Sequence, residues 1–127
     1  MAEYVIYTDT ASDSDKNFGT SSHTYIQLIG DTAQSDLFEL DDPNRDDFEP
    51  GATDSFPVTL PELGNLKEAY VKVEGSEKWV WHLLQARIEK KEGGQVVRSW
   101  SAYNPEDPSK GWLFGPDHIR EITLKVS

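Results

Sequence analysis

Residues 79–103 read WVWHLLQARIEKKEGGQVVRSWSAY, and their pattern decides the fold class. Apolar and polar side chains alternate with the period of a half-buried strand, and no helical period is sustained. The alternation changes phase in mid-run, with Trp81 and Leu83 on one parity and Ala86 and Ile88 on the other. A single inserted residue has that effect, so a β-bulge is expected near Leu84-Gln85. Glu92-Gly93-Gly94 then supplies a hairpin turn between two strands, Trp79–Lys91 and Gln95–Tyr103.

Outward from this hairpin the same alternation recurs in Glu3–Thr8, His23–Ile29, Ser35–Leu40, Thr53–Leu60, Leu66–Glu74 and Glu121–Val126, with turn residues between. Short strands separated by turn signals point to an all-β sandwich or barrel. Phe56, Val58 and Leu60 share a face, while Pro57 faces the other way and has no N–H to donate, which suits an edge strand. Alternation assigns Tyr4, Ile26, Leu28, Phe56, Val71, Val73, Trp81 and Leu83 to the core. The apolar cluster Trp112-Leu113-Phe114 is open to two readings, a strand packed on that core or an exposed docking surface.

A chain of 127 residues is sized for one module, residues 1–127, and is too short for a core plus a separate catalytic unit. It has no cysteine, so neither disulfides nor thiolate-bound zinc contribute to its stability. Met1 is followed by Ala2-Glu3-Tyr4, without the basic start and apolar run of a secretory signal. No stretch reaches the length of a transmembrane segment, and a cytoplasmic protein, at most peripheral to a membrane, is expected.

The formal charge of −11 is concentrated in the first half, where Lys16 and Arg45 are the only basic residues before Lys67. Such a field repels phosphate backbones, which argues against a nucleic-acid partner, and it repels anionic lipid until something neutralises it. Two loops carry the surplus. The first, Asp13-Ser14-Asp15-Lys16-Asn17-Phe18-Gly19-Thr20, offers carboxylate and amide oxygen. It is not an EF-hand: Phe18 stands where that loop needs glycine, Thr24 where it needs a bidentate glutamate, and no helices flank it. The second, Asp41-Asp42-Pro43-Asn44-Arg45-Asp46-Asp47-Phe48-Glu49, packs carboxylates so closely that a bound cation would relieve their repulsion. Calcium accepts six to eight hard oxygens in loose geometry, whereas magnesium demands strict octahedral order. The plainer reading of both loops is a solvated acidic surface.

No constellation for catalysis is present. There is no Gly-x-Ser-x-Gly elbow, no Gly-rich phosphate loop, and no nucleophile paired with a base. His23, His82 and His118 are too scattered for a zinc site and are expected to serve structure.

Several of these stretches occur together: Phe18-Gly19-Thr20 ahead of the strand His23–Ile29 with Gly30, Asp41-Asp42-Pro43 with Asp46-Asp47-Phe48, Gly51-Ala52-Thr53-Asp54-Ser55-Phe56, and Trp81-His82-Leu83. In this order, from Glu3 to about Ile88, the chain resembles the PLAT (lipoxygenase homology, LH2) domain family. The resemblance implies an eight-stranded antiparallel sandwich of two four-stranded sheets that does no chemistry itself. It implies calcium ligands at Asn17, Gly19 and Thr20 in the first loop, at Asp41, Asp42, Asp46 and Asp47 in the second, and at Glu77 beside Ser76 in a third. Phe18 and Trp79 would be the side chains that meet a membrane or a partner. Asn17 and Ser21 stand where family members often carry aspartate, and one extra residue sits in the second loop, so the first loop has the poorer donor set. The implied function is calcium-responsive docking to membrane lipid or to a partner protein, such as a lipase or other enzyme. The rival is a calcium-independent stress or assembly domain making protein contacts only.

Overall fold

The computed structural model describes residues 1–13, 22–40, 48–75, 80–104, 106, 110–115 and 119–127. Among them nine strands follow in order: β1 (Ala2–Thr10), β2 (Ser22–Gly30), β3 (Phe38–Glu39), β4 (Thr53–Leu60), β5 (Leu66–Gly75), β6 (Trp81–Glu92), β7 (Gln95–Tyr103), β8 (Trp112–Phe114) and β9 (Glu121–Lys125). No helix occurs among the described residues. One sheet runs β4-β1-β6-β7, with β8 also paired to β6, and the other runs β3-β2-β5-β9. Every ladder between these strands is antiparallel.

The expected sandwich is therefore present, but with nine strands in sheets of five and four rather than eight in two sheets of four. The additional strand is β8. Its Trp112 and Phe114 are buried while Leu113 is 40% exposed, so the apolar cluster is a strand packed on the core. β8 pairs with β6 at Trp81–Leu83, and β7 pairs with β6 from Gln85 onward, so the two share one side of the same long strand. Gly111 permits this: its φ is +63°, and a Cβ there would stand 2.2 Å from the Leu83 carbonyl oxygen.

Alternation placed the core correctly. Tyr4, Ile26, Leu28, Phe56, Val71, Val73, Trp81 and Leu83 all belong to the buried cluster. Trp81 is its centre, with Phe114 at 5.2 Å and Phe48 at 4.7 Å between ring centroids, and its indole N–H donates to Thr10 Oγ1 at 3.0 Å. That bond satisfies the polar atom that burial of a tryptophan would otherwise strand. The bulge also falls as expected: Asp9 faces Gln85 and Thr10 faces Leu83, leaving Leu84 as the extra residue. Gly93 and Gly94 turn the β6–β7 hairpin with φ of 58° and 81°.

Three of the strands at the sheet edges are blunted. Pro57 interrupts the donors of β4, β3 has two residues, and β7 carries a second bulge, where Lys90 faces Arg98 but Lys91 faces Val96. The Arg98 guanidinium lies 5.0 Å over the Trp100 ring and donates to Asn65. Proline, a bulge and a charge turned onto the edge all discourage edge-to-edge pairing with another chain.

Candidate functional site

The pairing brings the described ends of the acidic loops to one end of the sandwich. Ser22, which follows the first loop, faces Gly75, which precedes the third. Leu40, which precedes the second, donates its N–H to the Thr24 carbonyl at 2.8 Å. Across the sandwich, Ala11 donates to the His82 carbonyl at 2.9 Å, tying the end of β1 to the start of β6. The step from Gly75 to Val80 spans at most about 18 Å of extended chain, too short to cross the length of a ten-residue strand. Both sheets therefore present their loop-bearing ends on the same side.

Asn17, Phe18, Gly19, Thr20, Asp41, Asp42, Asp46, Asp47, Glu77 and Trp79, the residues expected to bind calcium or a docking surface, all lie outside the described residues. His118 does as well. Among the described residues no group of three or more His, Cys, Asp or Glu side chains could hold a metal. The donor set itself is oxygen only and rich in carboxylates, the chemistry that suits calcium and excludes softer metals. Asn17, Gly19 and Thr20 would supply amide, carbonyl and hydroxyl oxygen, and Asp41, Asp42, Asp46, Asp47 and Glu77 the charge.

What the structure does describe is the frame from which these loops spring. The first loop leaves β1 through Asp13, whose carboxylate Oδ1 lies 2.8 Å from His82 Nδ1. The other ring nitrogen, Nε2, lies 2.6 Å from the Lys110 carbonyl oxygen in the segment ahead of β8. Burial pulls the His82 pKa down, but the Lys110 carbonyl and the Asp13 carboxylate outweigh it, and the net shift is upward. A protonated ring donates to both acceptors at once. His23, on the other sheet, bonds Glu39 at 2.8 Å, so both described histidines serve structural contacts.

The second loop re-enters the fold at Phe48. Its ring is buried, stacked on Phe56 at 5.5 Å and set edge-on to Trp81, and its N–H donates to Asp54 Oδ2 at 2.8 Å. Sequence reasoning gave Asp54 no role. A signal was present: Asp54 shares parity with Phe56 and Leu60, so alternation turns a carboxylate toward the core, and Asp54 is indeed 1% exposed. A charge in that position requires a partner.

The profile of the PLAT/LH2 domain matches residues 4–113. The chain belongs to the PLAT/LH2 domain family. Among solved structures, it superposes on a coral 8R-lipoxygenase, described as activated by calcium via a C2-like domain, with 20% identity and a TM-score of 0.72. That match covers 98% of this chain and 17% of the lipoxygenase. A calcium-dependent 11R-lipoxygenase matches with 22% identity and a TM-score of 0.71, over 99% of this chain and 17% of that one. A lipoxygenase in complex with arachidonate gives 17% identity and a TM-score of 0.73, over 100% and 17%. At these identities the likeness establishes the fold, and this chain spans about a sixth of the length of each of these enzymes.

Proposed function

We propose that this chain is a non-catalytic docking module that takes calcium into its acidic loops and then binds a lipid surface. The observation that carries this reading is the convergence of the described loop ends on one end of a PLAT sandwich. It is supported by the two related folds described as calcium-activated or calcium-dependent. With calcium absent, a chain of charge −11 is repelled by anionic lipid. Calcium held by Asp41, Asp42, Asp46 and Asp47, with Asn17, Gly19, Thr20 and Glu77, cancels the local surplus. Phe18 and Trp79 then enter the interface, each contributing roughly 1.5 to 3 kcal/mol, enough for reversible docking but not for permanent anchoring. In this reading the 127 residues act as one module, peripheral to the membrane, with no nucleic-acid partner. No helix among the described residues is long and apolar enough to cross a membrane.

The test is co-sedimentation with liposomes containing phosphatidylserine, in millimolar calcium and again in chelator. Binding in calcium that is reversed by chelation is expected. A bound fraction indifferent to calcium would overturn the reading and favour docking to a partner protein.

A further inference from the structure

We propose that the free edge of β9 pairs with the same edge of a second copy of this chain, antiparallel and centred on Thr123, joining two four-stranded sheets into one of eight strands in a manner independent of calcium.

The direction of each backbone group on β9 follows from its two flanks. The Arg120 carbonyl accepts from Val73 at 2.8 Å, and Val126 donates to the Lys67 carbonyl at 2.9 Å, so both of these residues face β5. Backbone groups alternate sides along an antiparallel strand, and the β5–β9 register runs without a shift from Glu68 opposite Lys125 to Lys72 opposite Glu121. Ile122 and Leu124 therefore face β5 as well, and Glu121, Thr123 and Lys125 turn their N–H and C=O outward. Among the described residues nothing pairs with these outward groups. The next outward residue, Ser127, exchanges two bonds with Ser101 of β7, so the free run ends at Lys125.

Unlike the other edges described above, β9 has neither proline nor bulge. Its charges are self-complementary. A two-fold axis through Thr123 sets Glu121 opposite Lys125 of the second copy, Ile122 opposite Leu124 and Thr123 opposite its own counterpart, and the outward groups of Glu121, Thr123 and Lys125 then bond to each other in register. On the outer face Lys72 lies opposite Glu121, and Lys125 Nζ is 3.1 Å from Glu68 Oε2. Crossing the axis, the order is Lys72, Glu121, then Lys125 and Glu68 of the second copy, so every neighbour has the opposite sign. A lysine on an edge ordinarily repels another copy, but here it meets a glutamate. The Lys125 side chain is 82% exposed and free to make that contact. On the inner face the half-buried Ile122 packs beside Leu124 of the second copy. The acidic surplus of the chain belongs to residues before Lys67, and β9 itself brings no net charge to the contact.

The experiment is sedimentation equilibrium of the intact chain in chelator, from micromolar to millimolar protein, at physiological salt, where the charge of −11 is screened beyond about 8 Å. An edge this short buries less than a standard interface, so a weak dimer is expected. Thr123→Pro removes an outward donor and none of the bonds to β5, and should raise the dimer dissociation constant at least about tenfold with little change in melting temperature. Glu121→Lys and Lys125→Glu should each weaken self-association about tenfold. An equimolar mixture of those two variants should form a mixed dimer as tight as that of the wild type, because opposite charges again meet across the axis. If Thr123→Pro does not fold, the two charge variants, both at exposed positions, carry the test. A wild-type chain that stays monomeric at millimolar concentration, a folded variant that self-associates like the wild type, or a mixture no tighter than either charge variant alone overturns the proposal.

Discussion

His82 and Asp13, 69 residues apart in sequence, meet at 2.8 Å and join the root of the first acidic loop to the start of β6. The Lys110 carbonyl on the opposite side of the ring makes the contact favour imidazolium, despite partial burial. The sign of its effect on stability follows from linkage. The folded pKa lies above the unfolded value of about 6.5, so the contribution is complete below pH 6.5 and is lost as pH rises through the folded pKa. Urea unfolding between pH 5.5 and 8 should show stability from this source falling with pH, and His82→Gln should flatten that slope. An unchanged slope in the variant would show that other groups dominate.

Calcium should stabilise the chain, because folding brings together the described ends of the loops proposed to hold it. At free calcium 100 times the dissociation constant the gain is about 2.7 kcal/mol, which for a domain of this size raises the melting temperature by roughly 10 °C. Magnesium should give much less. Joint replacement of Asp46 and Asp47 by Asn should remove most of the shift, and a melting temperature indifferent to millimolar calcium would refute the assignment.

Phe18→Ala with Trp79→Ala should reduce the liposome-bound fraction while leaving the calcium-induced thermal shift in place, because these side chains are assigned to the lipid and not to the metal. The loss should correspond to roughly 3 to 6 kcal/mol if both tips insert fully. A bound fraction matching wild type would move the insertion surface elsewhere.

Trp81→Ala should destabilise the fold by about 3 to 5 kcal/mol, through the cavity it opens between Phe48 and Phe114 and the lost bond to Thr10 Oγ1. Chemical denaturation measures this directly. A cost below about 1 kcal/mol would mean that the surrounding rings collapse into the space.

Purified protein should show no lipase, esterase, nuclease or glycosidase activity. No nucleophile, base and orienting group form a recognisable set in the sequence. Turnover that follows the protein through purification and vanishes on Asp47→Asn would contradict this.

Much of the fold is written locally. Period-two alternation depends only on which side of a strand each residue occupies, so the core positions, the Leu84 bulge, the Gly93-Gly94 turn and the edge character of the Pro57 strand were all legible before any pairing was known. The candidate site is readable in the sequence only as chemistry: clustered carboxylates suit a hard cation or a solvated surface, and composition does not say which loops share an end. That depends on strand order, a tertiary property, and it was the ladders of β2 with β5 and the contacts of Leu40 and Ala11 that brought the loop ends together. Three features were decided by the same tertiary contacts. Of the two readings open for Trp112-Leu113-Phe114, the packed strand is the one realised, because β6 is long enough to pair with β7 and β8 in succession. Asp54 holds Phe48 through a turn that leaves the periodic pattern, and His82 reaches Asp13 across two sequence-distant strands. Local sequence determined which face each strand buries. Only packing decided which residues meet, because contacts between distant segments have no period to read.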